Sequence, residues 1–471
     1  MHITVVGSGY VGLVAGACFA ELGHEVILVD NDPVKLSALQ RGEVPIHEQH
    51  LPELLDRHRG KRLSFSDNTS EAVRLSQAVF VAVGTPPMHS GEADLSYVEC
   101  VARDIAGAVC DYKVIVGKST VPVYTSQWVR KVMLLNGAPH GCFDVASNPE
   151  FLREGTAVVD FLYPDRIVIG CDNARTAKVL EDIYKPLTDG SYYQNPNRIV
   201  GPARYEPPAP IIVTSTRSAE LIKHASNAFL AMKISFINAV ANICESVGAD
   251  VEQVRTGIGT DARIGHRFLY PGIGYGGSCF PKDLSAFRAV ARENGYEFRL
   301  LDEVMHINED QRQRFLRKVR TALWTLKGKQ VGVLGLAFKD GTDDIRESPA
   351  IAIIESLLAE GCRVKTYDPA AMERAAEVLP SASVTFVDSP YEAASGADAL
   401  LVLTEWQEFK SIDLSRIRKE LRYPIVIDGR NLFSRSDMQK HGFIYLSIGR
   451  PDVVPQEEEQ KFRTAGHLGE I

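Results

Sequence analysis

Apolar and polar positions along the chain change their period twice. From residue 1 to about 210, short apolar runs alternate with helical patterns. "ITVVGSGYVG" reads as a strand entering a glycine turn, and "HEVILVD", "AVFVAVGTPP" and "KVIVGKSTVP" read as further strands. Such alternation predicts parallel strands joined by crossover helices. Each run ends in small polar residues, at the edge where sheets of this kind bind ligands. From about Arg217, "RSAELIKHASNAFLAMKISFINAVANICESVG" carries apolar residues at helical spacing, without proline and with glycine only at its end. One long helix is expected, packed between domains, and its apolar width raises a second subunit as a further packing partner. The stretch before it, "NPNRIVGPARYEPPAP", reads as a surface loop. Near Lys329 the first plan returns: strand and turn in "KQVGVLGLAFK", a helix in "SPAIAIIESLLAEG", and strands in "RVKTYDP", "DALLVLTEW" and "PIVIDGRN". The fold class is therefore α/β, with two Rossmann-like, doubly wound parallel-sheet domains joined by a central helical domain. The expected boundaries are 1–210, 211–310 and 311–450, with a polar tail over 451–471.

Length supports more than one domain, because 471 residues exceed what one compact core accommodates. Apolar residues at 45% and charged residues at 24% are ordinary for a globular chain and leave no room for wholesale disorder. The net charge of −8, with no run of Lys and Arg, excludes the basic face of a nucleic-acid binder. An anionic ligand must then be held by local donors. No uninterrupted apolar run approaches the ~20 residues that span a bilayer. "MHITVVGSG" lacks the basic start and cleavage pattern of a signal peptide. Eight scattered cysteines without a C-x-x-C pair form neither a disulfide framework nor a zinc site, and the expected setting is the reducing cytoplasm.

Gly7, Gly9 and Gly12 form G-x-G-x-x-G between a strand and a helix, and Asp30 ends the second strand. Glycines alone say little, but this order is the context a dinucleotide fingerprint requires. The glycines would let a pyrophosphate approach the helix N-terminus. Asp30 would accept hydrogen bonds from the adenosine ribose and repel a 2′-phosphate, so NAD is expected rather than NADP. The second glycine turn, "GVLGLAFKDGTDDIRES", has no third glycine in register; Lys339 and Arg346 there are either solvated charge or ligands of a different phosphate. In "SNPEFLREGTAVVDFLYPDRIVIG", Asn-Pro-Glu ends a strand-like run, which sets Glu150 at the ligand edge, although surface charge also accounts for such a cluster. Lys223 and Asn227 lie four apart on one helix face. They either reach solvent or converge on a polar ligand, because burying them unpaired is costly. In "GYGGSCFPKD", Gly276 and Gly277 leave room for a ligand beside Cys279. Lys282 would favour its thiolate and Asp283 could handle protons. A buried, inert thiol is the alternative reading.

Together these motifs resemble the UDP-glucose/GDP-mannose dehydrogenase family from residue 1 to about 440. The resemblance rests on "GSGYVGLVAGACFAELGHEVILVD", "GTPP", "KSTVPV", "NPEFLREGTAVVDFLYPDRIVIG", "SAELIKHASNAFLAMKISFIN", "GIGYGGSCFPKD" and "FKDGTDDIRESP". It implies a four-electron oxidation in which a sugar nucleotide's C6 alcohol becomes a carboxylate while two NAD molecules are reduced in turn. The wording of "GIGYGGSC" and "KSTVPV" points within the family to UDP-glucose, with GDP-mannose or a UDP-N-acetylhexosamine as the alternative. The resemblance makes Cys279 the nucleophile and Lys223 the stabiliser of a developing oxyanion. Asn227 and Asp283 would orient water and protons, with Thr120 and Glu150 as further water-handling groups. It assigns Gly7, Gly9, Tyr10, Val11, Gly12, Asp30, Lys35, Thr85, Thr120, Glu154, Lys282 and Arg346 to NAD. To the sugar nucleotide it assigns Phe151, Leu152, Arg153, Glu154, Lys223, Phe268, Leu269, Tyr270, Pro271, Gly272, Gly276, Lys339 and Arg430, with Arg263 reaching across a subunit boundary. A homodimer built on the helical middle is implied, with NAD on the first domain and the uridine diphosphate on the third. One departure stands out: after "KSTVPV" the family usually has Gly, and this chain has Tyr124.

Overall fold

The computed structural model describes residues 1–455 other than 89, 204, 206 and 207, so the polar tail expected over 451–471 lies largely outside the described residues. The chain forms two compact units: Met1–Asn227 with Lys282–Glu297, and Ala228–Pro281 with the chain from Phe298 onward.

The first unit is built on eight strands: β1 (His2–Val6), β2 (Glu25–Val29), β3 (Leu63–Ser66), β4 (Ala78–Val81), β5 (Lys113–Gly117), β6 (Phe143–Ser147), β7 (Ile167–Gly170) and β8 (Ile211–Thr214). Their order is β3-β2-β1-β4-β5-β6-β7-β8. The first six run parallel, β7 enters antiparallel to β6, and β8 runs parallel to β7. Strand order reverses at β1, where β2 and β4 flank it, and ligand crevices of open α/β sheets open at such a point. The central strands are buried on both faces, which explains why they read as continuous apolar runs rather than alternating ones. One face packs the Tyr10–Glu21 helix through Phe19, which meets Phe80, Phe161 and Tyr184. The other packs the Ser96–Ala106 and Thr125–Leu135 helices through Ile105, Val129 and Met133.

The described residues of the proline-rich stretch before β8 are more firmly held than its composition predicts. Tyr163 donates to the Ile199 carbonyl (2.5 Å), Tyr193 and Tyr205 share a hydroxyl contact (3.0 Å), and Ile199 and Ala209 are buried. Backbone kept out of strands by proline is anchored here by aromatic rings instead.

The second unit carries β9 (Gln330–Leu334), β10 (Arg363–Tyr367), β11 (Val384–Phe386), β12 (Ala399–Val402), β13 (Ile425–Asp428) and β14 (Ile444–Leu446). The order β11-β10-β9-β12-β13-β14 is parallel throughout and repeats the plan of the first sheet. Its core joins Val331, Val333, Leu401 and Ile427 to Phe315 and Val319 of the Arg299–Leu323 helix and to Ile237 and Ala241 of the long helix.

That long helix spans Thr216–Val247, 32 residues without proline. By length and composition it could cross a bilayer, with a mean hydropathy of 1.3 over its most apolar window. Its polar residues, however, are buried in hydrogen bonds made by protein: Glu220 accepts from Ser126, His224 meets the Val121 carbonyl, and Asn227 donates to Asp283. Those are the contacts of a core helix.

Tyr124 explains the departure from the family's glycine. Its φ is +80°, the left-handed region that glycine occupies freely and other residues only under strain. The backbone keeps the glycine-type turn because the Tyr124 and Ser126 N–H groups both donate to the Glu220 carboxylate (2.8 Å each). The exposed Tyr124 ring gains only a contact with the Arg217 guanidinium, 5.0 Å from its centroid. Left-handed strain of about 1–3 kcal/mol exceeds an exposed cation–π contact of about 0.5–1 kcal/mol. Tyr124→Gly is therefore expected to stabilise the first unit by about 1 kcal/mol, raising its calorimetric transition by roughly 2–4 °C. An unchanged or lowered transition would show that Glu220 does not hold a strained turn.

Candidate active site

The dinucleotide turn follows directly from β1. Gly7 turns the chain at φ +102°, and a Cβ on Gly12 would stand 1.8 Å from the Gly7 carbonyl oxygen, so the turn closes only around glycine. Gly9 caps the Tyr10–Glu21 helix, leaving that helix's first N–H groups facing the crevice. Asp30, after β2, accepts from the Ser8 N–H (2.7 Å) and hydroxyl (2.5 Å) and from the Asp32 N–H (3.0 Å), with Lys35 at 3.6 Å. Burial alone would raise Asp30, but those donors and Lys35 hold it below the usual carboxylate range. It stays anionic, as discrimination against a 2′-phosphate requires. Tyr10 turns its hydroxyl onto Glu48, and the Gly155 N–H donates to both (2.7 Å each). Burial pushes up both the phenol and the Glu48 carboxyl. The fingerprint is thereby tied to the 151–155 segment.

Glu150 lies past the end of β6, where Asn-Pro-Glu placed it, and forms a buried ion pair with Lys223 of the long helix (2.8 Å). Its other oxygen accepts from the Leu152 N–H (2.6 Å). The Phe151 ring lies under Lys223 at 5.5 Å and under Arg166 at 3.6 Å. Glu154 is buried, while the exposed Arg153 is taken up by Asp160 (2.6 Å). Lys223 and Asn227 do not reach solvent: Asn227 donates to Asp283 (2.6 Å), whose other oxygen takes Lys282 (2.5 Å). Thr85 donates to the Thr120 carbonyl (2.9 Å). Glu150 and Lys223 thus come together directly, Asn227, Lys282 and Asp283 form a second group, and Thr85 and Thr120 a third.

Sequence reasoning missed Lys118, Glu48, Glu220 and His224. Lys118 is fully buried, held by Asn148 (3.0 Å) and Tyr184 (3.4 Å). Desolvation lowers its ammonium to about 8, with Glu150 opposing that shift and Lys223 adding to it. The Glu150–Lys223 pair therefore has a second cation in its field. The signal in the sequence was a lysine at the end of an apolar strand, where solvent is out of reach. His224 and Glu220 stood one and three residues from Lys223 on a helix whose turns face the same sheet edge.

In the second unit Cys279 is half-buried, 3.6 Å from the Ser278 hydroxyl, and immediately precedes the Phe280–Glu293 helix. A helix N-terminus favours a thiolate. Gly276 leaves no room for a side chain, its Cβ position lying 2.1 Å from the Glu347 carbonyl. The Gly277 N–H donates to the Arg346 carbonyl (3.0 Å), while the Arg346 guanidinium is held by Asp344 (2.6 Å). Arg430 ties the glycine loop to the turn after β9, donating to the Phe338 carbonyl (3.0 Å) beside Lys339. Gly272 packs against Arg430 and is fixed by Asn238 (2.8 Å) and Gln311 (2.9 Å). Phe268 sits at φ +66°, Leu269 is buried, Tyr270 is exposed beside Arg255, and Pro271 lies in the same loop. Arg263 stands apart, 89% exposed and paired with Asp261 (2.6 Å).

The aspartate of the second sheet is held differently from Asp30. Asp368, which ends β10 as Asp30 follows β2, accepts from the Leu336 N–H (2.7 Å), the Ala337 N–H (3.1 Å) and the Trp406 indole (3.1 Å). Its other oxygen accepts from the Ala370 (2.9 Å) and Ala371 (2.8 Å) N–H groups, so the carboxylate is taken up within its own turn.

A glycine fingerprint with an anionic Asp30, beside buried Lys–Glu and Asn–Asp–Lys groups, fits an NAD-dependent dehydrogenase. The chain belongs to the UDP-glucose/GDP-mannose dehydrogenase family. Residues 1–188 match the family's NAD binding domain, 217–310 its central domain and 332–435 its UDP binding domain. The chain is 44% identical over 461 residues to the UDP-glucose 6-dehydrogenase TuaD of Bacillus subtilis, covering 98% of this chain and 95% of that protein. It is 45% identical over 457 residues to the UDP-glucose 6-dehydrogenase of Rhizobium meliloti, covering 96% and 100%. Among solved structures, a UDP-glucose dehydrogenase from the archaeon Pyrobaculum islandicum superposes with a TM-score of 0.85 at 38% identity, covering 95% of this chain and 98% of that one.

Because a Cβ at Gly12 collides with backbone rather than with a movable side chain, Gly12→Ala is expected to weaken NAD binding at least tenfold, about 1.4 kcal/mol. Calorimetric titration with NAD checks this, and an unchanged affinity would remove the glycine turn from the cofactor site.

Proposed function

We propose that this protein oxidises UDP-glucose to UDP-glucuronate with two NAD⁺ in succession, through a covalent intermediate on Cys279. The observation that carries the reading is the buried Lys223–Glu150 pair, set in a chain that matches the family's NAD-binding, central and UDP-binding domains in order. The first hydride leaves C6 of the sugar as the alcohol gives up its proton, yielding an aldehyde. An aldehyde has no alcohol from which a second hydride can be pulled, so the Cys279 thiolate adds to its carbon and gives a thiohemiacetal. The remaining C6 hydride would then leave, with a second NAD⁺ as its acceptor, as the thiohemiacetal hydroxyl loses its proton, and a thioester on Cys279 remains. Water adds, the C–S bond breaks, and the thiolate returns. The balance is one sugar, two NAD⁺ and one water consumed, with two NADH, one carboxylate and three protons formed. Lys223 offers a fixed, desolvated positive charge for the oxyanions of these steps, and Glu150 keeps that charge oriented. Asn227 and Lys282 hold Asp283, and Thr120 lines a small cavity with Lys282 and Asp283. Asp30 and Lys35 suit the NAD ribose, with Thr85, Glu154 and Arg346 completing the cofactor's proposed contacts. Lys339, Arg430 and the Phe268–Gly272 and Phe151–Glu154 segments are the proposed grip on the sugar nucleotide.

The decisive measurement is stoichiometry: NADH formed per UDP-glucose consumed is expected to be two, and one would reduce the reaction to simple alcohol oxidation. Cys279→Ala is expected to lose steady-state acid formation, and full retained turnover would remove the covalent route. UDP-glucose is expected to be preferred over GDP-mannose and over UDP-N-acetylhexosamines in the same assay.

A homodimer is also proposed. Phe229, Met232, Phe236, Ala239 and Ile243 recur at spacings of three and four on the long helix, and Phe229, Phe236 and Ile243 are 58, 53 and 60% exposed. This is the stripe a partner helix covers, and the exposed Arg263 is available to such a partner. Phe236→Glu is expected to shift the protein from dimer to monomer in light scattering, and an unchanged mass would move the interface elsewhere. A cytoplasmic setting is supported by eight cysteines of which none forms a disulfide among the described residues.

A further inference from the structure

Lys118 is not among the residues that the family resemblance assigns to the reaction. It immediately follows β5 and is 4% exposed. Its ammonium donates to the Asn148 side-chain oxygen (3.0 Å) and lies 3.4 Å from the Tyr184 hydroxyl. The Phe161 and Tyr184 rings stand 5.6 and 5.9 Å from it. Among the described residues it forms no ion pair, so its charge rests on neutral partners alone. Such a charge is costly to bury, and the packing does not require it. Tyr184 already donates to the same Asn148 oxygen (2.5 Å), and the Asn148 amide donates to the Val168 carbonyl (2.8 Å). An apolar side chain at 118 would leave both of those bonds in place.

The ionised groups that act on Lys118 are Glu150 and Lys223. Cys18 and Tyr184, the other titratable groups beside it, are kept neutral by burial. Asn148 and Glu150 belong to one turn, with Pro149 between them. Glu150 and Lys223 are 5% and 3% exposed and pair at 2.8 Å. One anion against one cation leaves a dipole without net charge. A developing oxyanion in a desolvated site gains most from net positive charge. With Lys118 protonated, the three groups sum to a single positive charge. Desolvation lowers the Lys118 ammonium to about 8, so the charge is present at neutral pH and is lost as pH rises beyond that value.

We propose that Lys118 is a positioning residue for the oxidation, giving the buried Glu150–Lys223 pair the net positive charge with which Lys223 favours an oxyanion. It acts through Lys223, whose charge Glu150 would otherwise cancel. This inference rests on the reading of Lys223 above as the charge that steadies the oxyanions of the reaction.

Two substitutions separate charge from contact. Lys118→Met keeps an unbranched apolar stem and removes the charge, whereas Lys118→Gln removes the charge and keeps a hydrogen-bond donor. Purified full-length wild type and variants are assayed for NADH at saturating NAD⁺ and UDP-glucose across about pH 6–10, with NADH per sugar recorded and calorimetric melting alongside. Both variants are expected to melt no lower than wild type, since a buried charge without a counter-ion is gone. Their kcat at neutral pH is expected to fall on the order of tenfold, less than loss of a direct oxyanion donor costs, with KM for NAD⁺ unchanged. Wild type is expected to lose a similar factor as pH rises through about 8, and neither variant to show that step. A Gln variant close to wild type beside an impaired Met variant would make the Asn148 contact the function and overturn the proposal. So would a variant that keeps the wild-type kcat or the step near pH 8. The wild-type step needs no variant, and its absence alone also overturns the proposal. One NADH per UDP-glucose in every protein, or none, would instead strike the reading of the reaction, a result distinct from all of these.

Discussion

A single charged pair organises the first unit. Lys223 emerges from one of the most apolar helices in the chain and is buried, so its ammonium must meet an anion or lose its charge. Glu150 meets it at 2.8 Å from the carboxyl edge of the sheet. That requirement fixes the rotation of the long helix about its own axis. With Lys223 aimed at Glu150, His224 meets Val121, Glu220 meets Ser126, and Asn227 meets Asp283. One helix thereby clamps the loops after β5 and β6 and the first turn of the Phe280–Glu293 helix. Breaking a buried pair of this kind costs about 3–5 kcal/mol because the orphaned charge stays behind, and here it would also free the register on which the other contacts depend.

The two sheets show how one plan serves two ends. Each places a glycine turn after its first strand and an aspartate after its second. In the first, Asp30 is bonded on its inner side by Ser8 and Asp32, with Lys35 beside it. In the second, Asp368 is consumed by four backbone N–H groups and an indole. The six-strand order the two sheets share does not distinguish them; the glycine fingerprint and the donors around each aspartate do.

Much of this was legible in the sequence because it depends on local rules. Strands β1, β2, β4 and β5 showed as apolar runs ending in turn residues, the long helix showed through its period, and glycine spacing with Asp30 gave the cofactor. Cys279, Lys223 and Asn227 were visible as chemistry-bearing residues in settings that needed explaining. What stayed hidden depends on distant partners. Whether Lys223 reached solvent or an anion turned on Glu150, 73 positions away, and the Tyr124 turn is set by Glu220, 96 positions away. No pattern within a window of the chain carries that information. Lys118 and His224 escaped notice because a lone lysine after a strand, or a histidine on a helix, is ordinary until its burial and partners are known.

The proposed chemistry imposes opposite demands on one site. Two hydride transfers proceed best where water is excluded, since water would hydrate the aldehyde and weaken the field of Lys223. The thioester then needs water, but only one molecule and only at the acyl carbon. An open, solvent-filled cleft fails the first demand and a dry one fails the second. Fixed donors and acceptors satisfy both, because they orient a single water where a mobile solvent shell would not. Within the first unit Asp283 is immobilised from both sides, by Asn227 and Lys282. On this view the buried polar groups of the first unit are not defects in a hydrophobic core but the means by which one protein runs a dry step and a wet step in sequence.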